Sequence, residues 1–334
     1  MGTAASDDGW RTRASDHFDP ARQRFFNPWK NTDKSFGDLL RWWVTAERRA
    51  WPHHVENRRY PPPPASVPHG HAAVTLLGHA GTLIRLGGAV VLTDPHFSPH
   101  AGPLGRFGPR RVREPGVGPE ALPSADAVFV SHNHYDHLDA ASLRWLDRHH
   151  HPLFVVPLGL ASLLRRLGMQ RVVELDWWEG ITVGPIEVIL TPAQHWSNRA
   201  MFDLRRSLWA GCMLRARSGE QVYFAGDSGY APCFAEIRDR LGPPPVALLP
   251  IGAYEPRWFM RDHHMDPEDA VRAHLDLGAR TSIAIHHAFF RLTDEGFGDP
   301  ARELSAALER HGVPPDAFRV LDVGESVTLP AVVD

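Results

Sequence analysis

Residues 128–138 read Val-Phe-Val-Ser-His-Asn-His-Tyr-Asp-His-Leu, an apolar stretch followed by four potential metal ligands within six positions. Alternate side chains of an extended chain share a face, so His132, His134 and Asp136 can point together. His137 is turned away from them unless the backbone bends. This arrangement suits two metal ions better than one. Imidazole and carboxylate ligands without a thiolate favour zinc, with iron or manganese as alternatives that the spacing does not separate.

Three further polar residues stand directly or shortly after apolar strand candidates elsewhere in the chain: His195, Asp227 and His286. A single histidine after a strand is weak evidence of a site. However, active sites of α/β proteins gather where strands end, so we expect these residues to converge on the first cluster. Together they would supply the ligands that a pair of ions requires.

The order of strand and helix signals predicts the fold class. From Ala72 onward, short apolar runs separated by glycine turns predict an antiparallel meander. Further along the chain, apolar strand candidates alternate with helical stretches. Strands in runs followed by strand–helix alternation indicate mixed sheets covered by helices. We therefore expect one layered α/β domain over residues 71–334.

The first 70 residues form a separate N-terminal extension in this interpretation, since they are rich in aromatic residues and arginine and end in the proline run 61–64. Apolar residues recur there with helical spacing at Phe36, Leu39, Leu40, Trp43 and Val44. They predict an amphipathic helix that ends near residues 51–52. Most such helices pack on their domain, and we expect the same here. Contact with lipid is the alternative, because tryptophan and arginine favour a membrane interface.

Composition narrows the function classes. The formal net charge is -3 and the pI is about 6.7, which offers no basic field for nucleic acid. The two cysteines, Cys212 and Cys233, have no ligand or disulfide spacing, so a reducing compartment fits best. The N-terminal residues contain no apolar signal region, and the chain contains no apolar run long enough to span a membrane. We expect a cytoplasmic protein, with peripheral membrane contact as an open alternative.

The run His132-Asn133-His134-Tyr135-Asp136-His137 resembles the H-x-H-x-D-H signature of the metallo-β-lactamase superfamily. The resemblance implies an αβ/βα sandwich of two mixed β-sheets flanked by helices. It also implies two metal sites that share a carboxylate, with these ligands: His132, His134 and His195 at the first, Asp136, His137 and His286 at the second, and Asp227 bridging. Asp94, at another strand end, matches an early aspartate of the family. That aspartate orients a ligand histidine without itself binding the metal.

Longer segments resemble the N-acylphosphatidylethanolamine-hydrolysing phospholipase D group within that superfamily. The matching segments are residues 131–139, 174–179, 194–196, 224–227 and 251–260. The resemblance extends from about Asn27 to Glu325. The chain departs from the group's pattern at Ser197-Asn198, where a cysteine and a lysine are expected, and at His287-Ala288, where Trp-Gly is familiar. These departures bear on head-group or acyl preference and leave the metal ligands in place.

Two divalent ions that share a water lower its pKa and present a bridging hydroxide to a bound phosphodiester. Asp136 and Asp227 would act as ligands, and either could relay a proton. The resemblance implies phospholipase D-type hydrolysis of N-acylphosphatidylethanolamine, or a related phospholipid, to phosphatidic acid and N-acylethanolamine. A homodimer is compatible with it, since dimers are common in this family.

Additional residues are candidates for contact with substrate or for an outer shell: Asp94, Tyr135, Arg257, Trp258 and His264. Arg257 and Trp258 could grip phosphate and acyl chain, or form a buried structural pair. Hydrolysis of a lactone or a cyclic phosphodiester is the alternative activity on this fold. A non-catalytic or redox metal module is a weaker alternative, because redox members typically carry a glutamate where this chain has His134.

Overall fold

Two seven-stranded β-sheets lie at the centre of the protein in a computed structural model that describes residues 15–200 and 202–333. A short hairpin and one helix precede them: β1 Phe18–Asp19, β2 Arg24–Phe25 and α1 Phe36–Thr45. Ser35 begins α1 with a capping box, in which its hydroxyl accepts from Asp38 N while the Asp38 carboxylate accepts from Ser35 N. Beyond Thr45 the chain runs without helix or strand along the body to residue 70.

The first sheet contains seven strands: β3 His71–Gly78, β4 Gly81–Leu86, β5 Ala89–Thr93, β6 Ala127–Phe129, β7 Leu153–Pro157, β8 Val172–Leu175 and, from the C-terminus, β16 Ser326–Pro330. Their spatial order is β16-β3-β4-β5-β6-β7-β8. The pairings from β16 to β5 are antiparallel and those from β5 to β8 are parallel. The sheet is therefore mixed.

The second sheet contains the remaining strands: β9 Gly180–Val183, β10 Ile186–Thr191, β11 Gly211–Ala216, β12 Gln221–Phe224, β13 Val246–Pro250, β14 Thr281–Ile285 and β15 Phe318–Arg319. It has the order β15-β14-β13-β12-β11-β10-β9. The pairings from β9 to β12 are antiparallel and those from β12 to β15 are parallel. Each sheet thus places a parallel half next to an antiparallel half.

Helices cover the outer face of each sheet: α2 Ala140–His150, α3 Ala161–Arg166, α4 Cys233–Leu241, α6 Pro267–Leu277 and α7 Asp299–His311. The short α5 Arg257–Met260 lies instead beside α1. Leu143 and Leu164 pack with Phe154 on the first sheet, and Phe234 and Leu304 pack on the second. A third apolar cluster fills the space between the sheets. Strands buried on both faces are nearly all apolar, as in β13. The layers form the αβ/βα sandwich that the resemblance implied.

The N-terminal helix differs from the expectation in two ways. It ends at Thr45 and not near residue 51. Its apolar stripe is also exposed, with Phe36 80% and Trp43 73% accessible, and none of the helix residues is buried. Contact with the body comes instead from the opposite face, where Trp42 packs on Phe259 and donates to Asp294. The hydrophobic stripe therefore does not make the packing contact that its spacing led us to expect.

No helix among the described residues is long and apolar enough to cross a membrane.

Candidate metal centre

The predicted ligands are carried by turns at one edge of the two sheets. Asp94 follows β5, residues 132–137 follow β6, and His195 follows β10, while Asp227 follows β12 and His286 follows β14. Parallel strands that end at the same edge bring such side chains together although they are far apart in sequence. Asp94 and His286 adopt left-handed backbone with φ of 37° and 61°. Non-glycine residues seldom adopt this conformation outside sites where the surrounding structure enforces it.

Four donor atoms surround the second predicted site. His137 Nε2 and His286 Nε2 each lie 3.1 Å from Asp227 Oδ2. The same two nitrogens lie 3.4 and 3.3 Å from Asp136 Oδ2. The donor atoms of His137, His286 and Asp136 also fall within one group of candidate metal-ligating atoms less than 4.8 Å apart. Asp136, His137, His286 and Asp227 are therefore arranged around one point.

The first predicted site has a similar arrangement. His134 Nδ1 lies 2.9 Å from His132 Nε2 and 3.3 Å from His195 Nε2. Asp227 Oδ2 is 3.9 Å from His132 Nε2 and 3.8 Å from His195 Nε2. The same carboxylate oxygen of Asp227 therefore faces both sets of histidines, as a bridging ligand must.

The donor set fits two zinc ions. Donors about 2.0–2.2 Å from a tetrahedral zinc are separated from one another by about 3.3–3.5 Å, and the distances above scatter around that value. Two atoms of the cluster, His137 Nε2 and Asp227 Oδ1, are buried without a hydrogen bond to any described residue. Buried polar atoms seldom lack a partner, so an ion is a natural one for them.

Surrounding groups fix the orientation of the ligand rings. Asp94 Oδ2 lies 2.7 Å from His137 Nδ1 and accepts a hydrogen bond from Ser131 Oγ. His195 Nδ1 lies 2.8 Å from the carbonyl oxygen of His263. Each ring thereby keeps its Nε2 directed at the cluster, which is the role of outer partners in metal sites. The structure thus places Asp94 beside His137, one of the predicted ligands.

Asn27, in the N-terminal extension, contacts the main chain of His195. Its amide donates to the His195 carbonyl at 2.8 Å and its Oδ1 accepts from His195 N at 3.2 Å. The extension therefore contributes to the site itself. No local pattern in the sequence indicates this contact, because 168 residues separate the two partners.

Burial and charge divide the histidines into two groups. Burial lowers the pKa of His134 to about 3 and that of His195 to about 4, so both are neutral, as metal ligands must be. Burial opposes charge on His286 too, but Asp227 and the hydrogen bonds to the carboxylates raise its pKa to about 9. Asp227 and Asp136 likewise raise the pKa of His137 well above its usual value against burial. The two carboxylates therefore attract positive charge to the second site.

A cavity of about 470 Å³ leads from the cluster to helix α1. His134 and His264, which belong to the cluster, line one part of this cavity. Leu39 and Trp42, which belong to α1, line another part. The remaining wall is mainly apolar, with Trp196, Leu204, Phe259 and Met260, together with the charged residues Asp33, Lys34 and Arg205. Such a channel suits a substrate that has a polar reacting group and an apolar remainder.

The structure separates the predicted substrate contacts. His264 lines the cavity, and its Nδ1 is 3.9 Å from Asp227 Oδ2. Arg257 pairs instead with Asp266 and Asp269. The guanidinium of Arg257 is thus held by two carboxylates, and Arg257 is not among the residues that line the cavity, so its contact with a phosphate stays a prediction.

Trp258 and Tyr135 also have other contacts. Trp258 stacks against Arg41 of α1, with 4.3 Å between the guanidinium and the ring, and so helps to hold that helix. Tyr135 is covered by Arg199 at 3.9 Å and lines a different cavity from the one that leads to α1. Neither is among the residues that line the metal-site cavity.

Sequence reasoning missed His79, which lies in the turn between β3 and β4. Its Nε2 is 3.0 Å from Asp136 Oδ2, and it belongs to a group of candidate ligands with His137 and His286. Burial, with His286, lowers its pKa to about 3. The only available signal was a histidine after Gly78 in a predicted turn, where a polar residue is ordinary.

Comparison with known proteins agrees with this geometry. A model of the Beta-lactamase superfamily domain matches residues 90–287. An uncharacterized protein of Mycobacterium tuberculosis H37Rv is 39% identical over 267 residues, which cover 77% of this chain and 71% of the relative. The N-acyl-phosphatidylethanolamine-hydrolyzing phospholipase D 1 of Caenorhabditis elegans is 36% identical over 264 residues, with 75% and 74% of the two chains covered.

A similar fold has been solved for a metallo hydrolase from the archaeon Ignicoccus hospitalis. It has a TM-score of 0.58 and 23% identity, and the match covers 78% of this chain and 98% of that one. Fold, donor cluster and relatives together define a metal-dependent hydrolase with an αβ/βα sandwich. The chain belongs to the metallo-β-lactamase superfamily, in the group that resembles the N-acylphosphatidylethanolamine-hydrolysing phospholipases D.

Proposed function

We propose that the protein is a binuclear zinc phosphodiesterase that hydrolyses N-acylphosphatidylethanolamine, or a related phospholipid, to phosphatidic acid and an N-acylethanolamine. The observation that carries the proposal is the pair of donor groups sharing Asp227 Oδ2 at the end of a largely apolar cavity. The relative from Caenorhabditis elegans, whose name states this activity, supports the choice of substrate class.

We assign the metal ligands to two sites, following the division that the resemblance implies. The proposed ligands are His132, His134 and His195 at the first ion, Asp136, His137 and His286 at the second, and Asp227 at both. When bound, two zinc ions would activate a water for attack on phosphorus and offset the negative charge that grows in the transition state. All the ligands are nitrogen or oxygen donors, so iron or manganese is the alternative occupant.

The chain's own residues then have separate roles. His264 faces the cavity beside Asp227, and a neutral imidazole there can donate to a phosphate oxygen. The apolar wall of the cavity would accept an acyl chain and exclude water from it. Asn198, one of the departures from the group's pattern, also lines the cavity, whereas Ser197 is buried and donates to the Ser207 carbonyl. A difference in lipid preference is therefore expected to depend on Asn198.

Peripheral contact with a membrane is part of the proposal. The exposed stripe of α1 is a row of large apolar residues: Phe36, Leu39, Leu40, Trp43 and Val44. Leu39 also lines the cavity, so the stripe and the cavity share this residue. An amphipathic helix with its apolar face exposed can enter the headgroup region of a lipid surface. A lipid could then pass from the bilayer into the cavity without crossing water.

The test is hydrolysis of N-acylphosphatidylethanolamine and of plain phosphatidylcholine by zinc-loaded protein, with phosphatidic acid as the measured product. We expect release from the first lipid and loss of that release in Asp227→Ala. Trp145→Phe, a change on α2 outside the cavity, serves as the control. Release from neither lipid would exclude the phospholipase. Turnover of a lactone or a cyclic phosphodiester by the same samples would establish the alternative hydrolase.

A further inference from the structure

His79 is a histidine of the cluster that belongs to neither predicted ligand set. Its side chain is buried, and its backbone has a φ of 50° in the turn between β3 and β4. This left-handed conformation is uncommon for any residue except glycine, although asparagine, aspartate and histidine adopt it more often than other residues. A buried imidazole on such a backbone calls for an explanation in its contacts.

These contacts involve two proposed ligands of the second ion. The Nε2 of His79 lies 3.0 Å from Asp136 Oδ2. The carbonyl of His79 accepts from the backbone N–H of His286 at 2.9 Å. The two imidazole rings also contact each other, with centroids 4.0 Å apart. One residue of a hairpin turn therefore restrains the carboxylate of one ligand and both the main chain and the ring of another.

The geometry distinguishes His79 from the ligands. His137 Nε2 and His286 Nε2 lie 3.1 Å from Asp227 Oδ2, so both face the middle of the second group. Within the described residues, no ion pair joins His79 to Asp227. Its Nδ1 is also buried, and none of the described residues makes a hydrogen bond with it. A ring with these contacts donates its Nε2–H to the Asp136 carboxylate, so the nitrogen that reaches Asp136 has no lone pair for an ion.

We propose that His79 is a positioning residue for the second metal ion, an inference that rests on the metal pair proposed above. It orients Asp136 and His286 for binding and leaves the first-site ligands unaffected. Outer partners of metal ligands typically change metal affinity about 10–100-fold when they are removed. Loss of His79 should therefore weaken the second ion selectively.

Two substitutions at this position separate hydrogen bonding from packing. His79→Asn suits the left-handed backbone, but its amide is too short to reach Asp136. His79→Gln places its amide nitrogen near the position of Nε2 and restores a donor. Phe290→Leu is the matched control, because the Phe290 ring packs on His79 with centroids 5.2 Å apart. His79→Gly also suits the backbone and removes the side chain, so it replaces the asparagine variant if that does not fold.

The measurement is a titration of chelator-stripped full-length protein with Zn²⁺ in competition with a chromophoric chelator, which yields both stepwise dissociation constants. We expect His79→Asn to weaken the second step about 10–100-fold with the first unchanged. His79→Gln and Phe290→Leu should stay close to wild type. The Co²⁺ absorption spectrum gives an independent readout, because only the second-site bands should change.

Three results would overturn the inference. The second step could be unchanged in His79→Asn, both steps could weaken equally, or Phe290→Leu could give the same selective loss. Wild-type protein that binds fewer than two ions would overturn both the metal pair and the role of His79. If wild-type protein binds two ions, His79→Asn loses one selectively and no lipid is hydrolysed, only the proposed substrate fails.

Discussion

A single buried carboxylate, Asp94, determines how His137 is presented to the metal centre. Ser131 donates to it through both its backbone N–H and its hydroxyl, at 2.7 and 2.6 Å. These two bonds hold the carboxylate in place independently of its contact with His137 Nδ1. With Nδ1 held there, the other nitrogen of His137 has to face Asp136 and Asp227. The chain also turns over residues 135–137, where the His137 N–H donates to the His134 carbonyl. A histidine that an extended strand would turn away is thereby brought into the cluster.

The protonation of His137 and His286 predicts that metal binding releases protons. In the metal-free protein the pKa of His286 is raised to about 9 and that of His137 is well above its usual value. The His286 ring is thus charged at pH 7, the raised pKa of His137 favours its charged form too, and a charged ring must lose a proton to bind an ion. We expect zinc affinity at the second site to rise with pH up to about 9. Calorimetric titration in buffers of different ionisation enthalpy measures the release, and a heat that does not vary with buffer would contradict it.

At the scale of elements, α1 is bound by its polar face and by Trp42. Trp42 donates to Asp294 while its ring packs on Phe259. Farther along, Arg49 pairs with Asp299, and Trp51 donates to the Glu295 carbonyl. These contacts hold the segment by directional bonds and leave the apolar stripe free. The element is arranged to present hydrophobic side chains outward.

Substitution of that stripe should uncouple lipid binding from chemistry. We expect Trp43→Asp combined with Leu40→Asp to reduce co-sedimentation with phospholipid vesicles about tenfold or more, since two large apolar contacts with the bilayer are lost. Hydrolysis of a short-chain, water-soluble phosphodiester should be unchanged. Leu275→Asp, at a similarly exposed position on α6, is the control. Equal vesicle binding by all three proteins would exclude α1 as the lipid contact.

On the scale of the whole molecule, the proposed metal pair joins the two sheets. His132, His134, Asp136 and His137 follow a strand of the first sheet, whereas His195, Asp227 and His286 follow strands of the second. Each proposed site takes ligands from both sheets. Ions bound there would therefore link the two halves of the sandwich, in addition to the apolar core between them.

Removal of metal should consequently lower thermal stability. A ligand that binds only the folded state at 100 times its Kd stabilises that state by about 2.7 kcal/mol. For domains of roughly this size 1 kcal/mol corresponds to about 2–4 °C in Tm, so we expect a fall of about 5–10 °C on chelation. Scanning calorimetry with and without restored Zn²⁺ measures it. Asp227→Asn should show a much smaller difference, and an equal shift in both proteins would mean that the ions bind elsewhere.

The strands that carry the site were predictable. Apolar runs of Val, Ile and Leu in the sequence coincide with the cores of β3 to β7 and of β10 to β14. The elements that were missed are short or lie at edges, such as β1, β9, β15 and β16. A strand of two residues, such as β1 or β15, is too short to show a period in the sequence. The seven proposed ligands could be named from the sequence, because each stands shortly after an apolar run that is itself recognisable as a strand.

The fold class and the set of proposed ligands follow from the sequence alone, because hydrophobic periodicity and ligand spacing are local properties of the chain. Which other residues contact and orient those ligands is visible only in the tertiary structure. His79 and Asn27 reach the site from a hairpin turn and from the N-terminal extension, and Arg257 is held by carboxylates on a neighbouring segment. The tertiary structure also decided that the stripe of α1 faces outward. Each of these arrangements depends on hydrogen bonds and ion pairs made by side chains. The relative positions of those side chains are set only when the two sheets pack together.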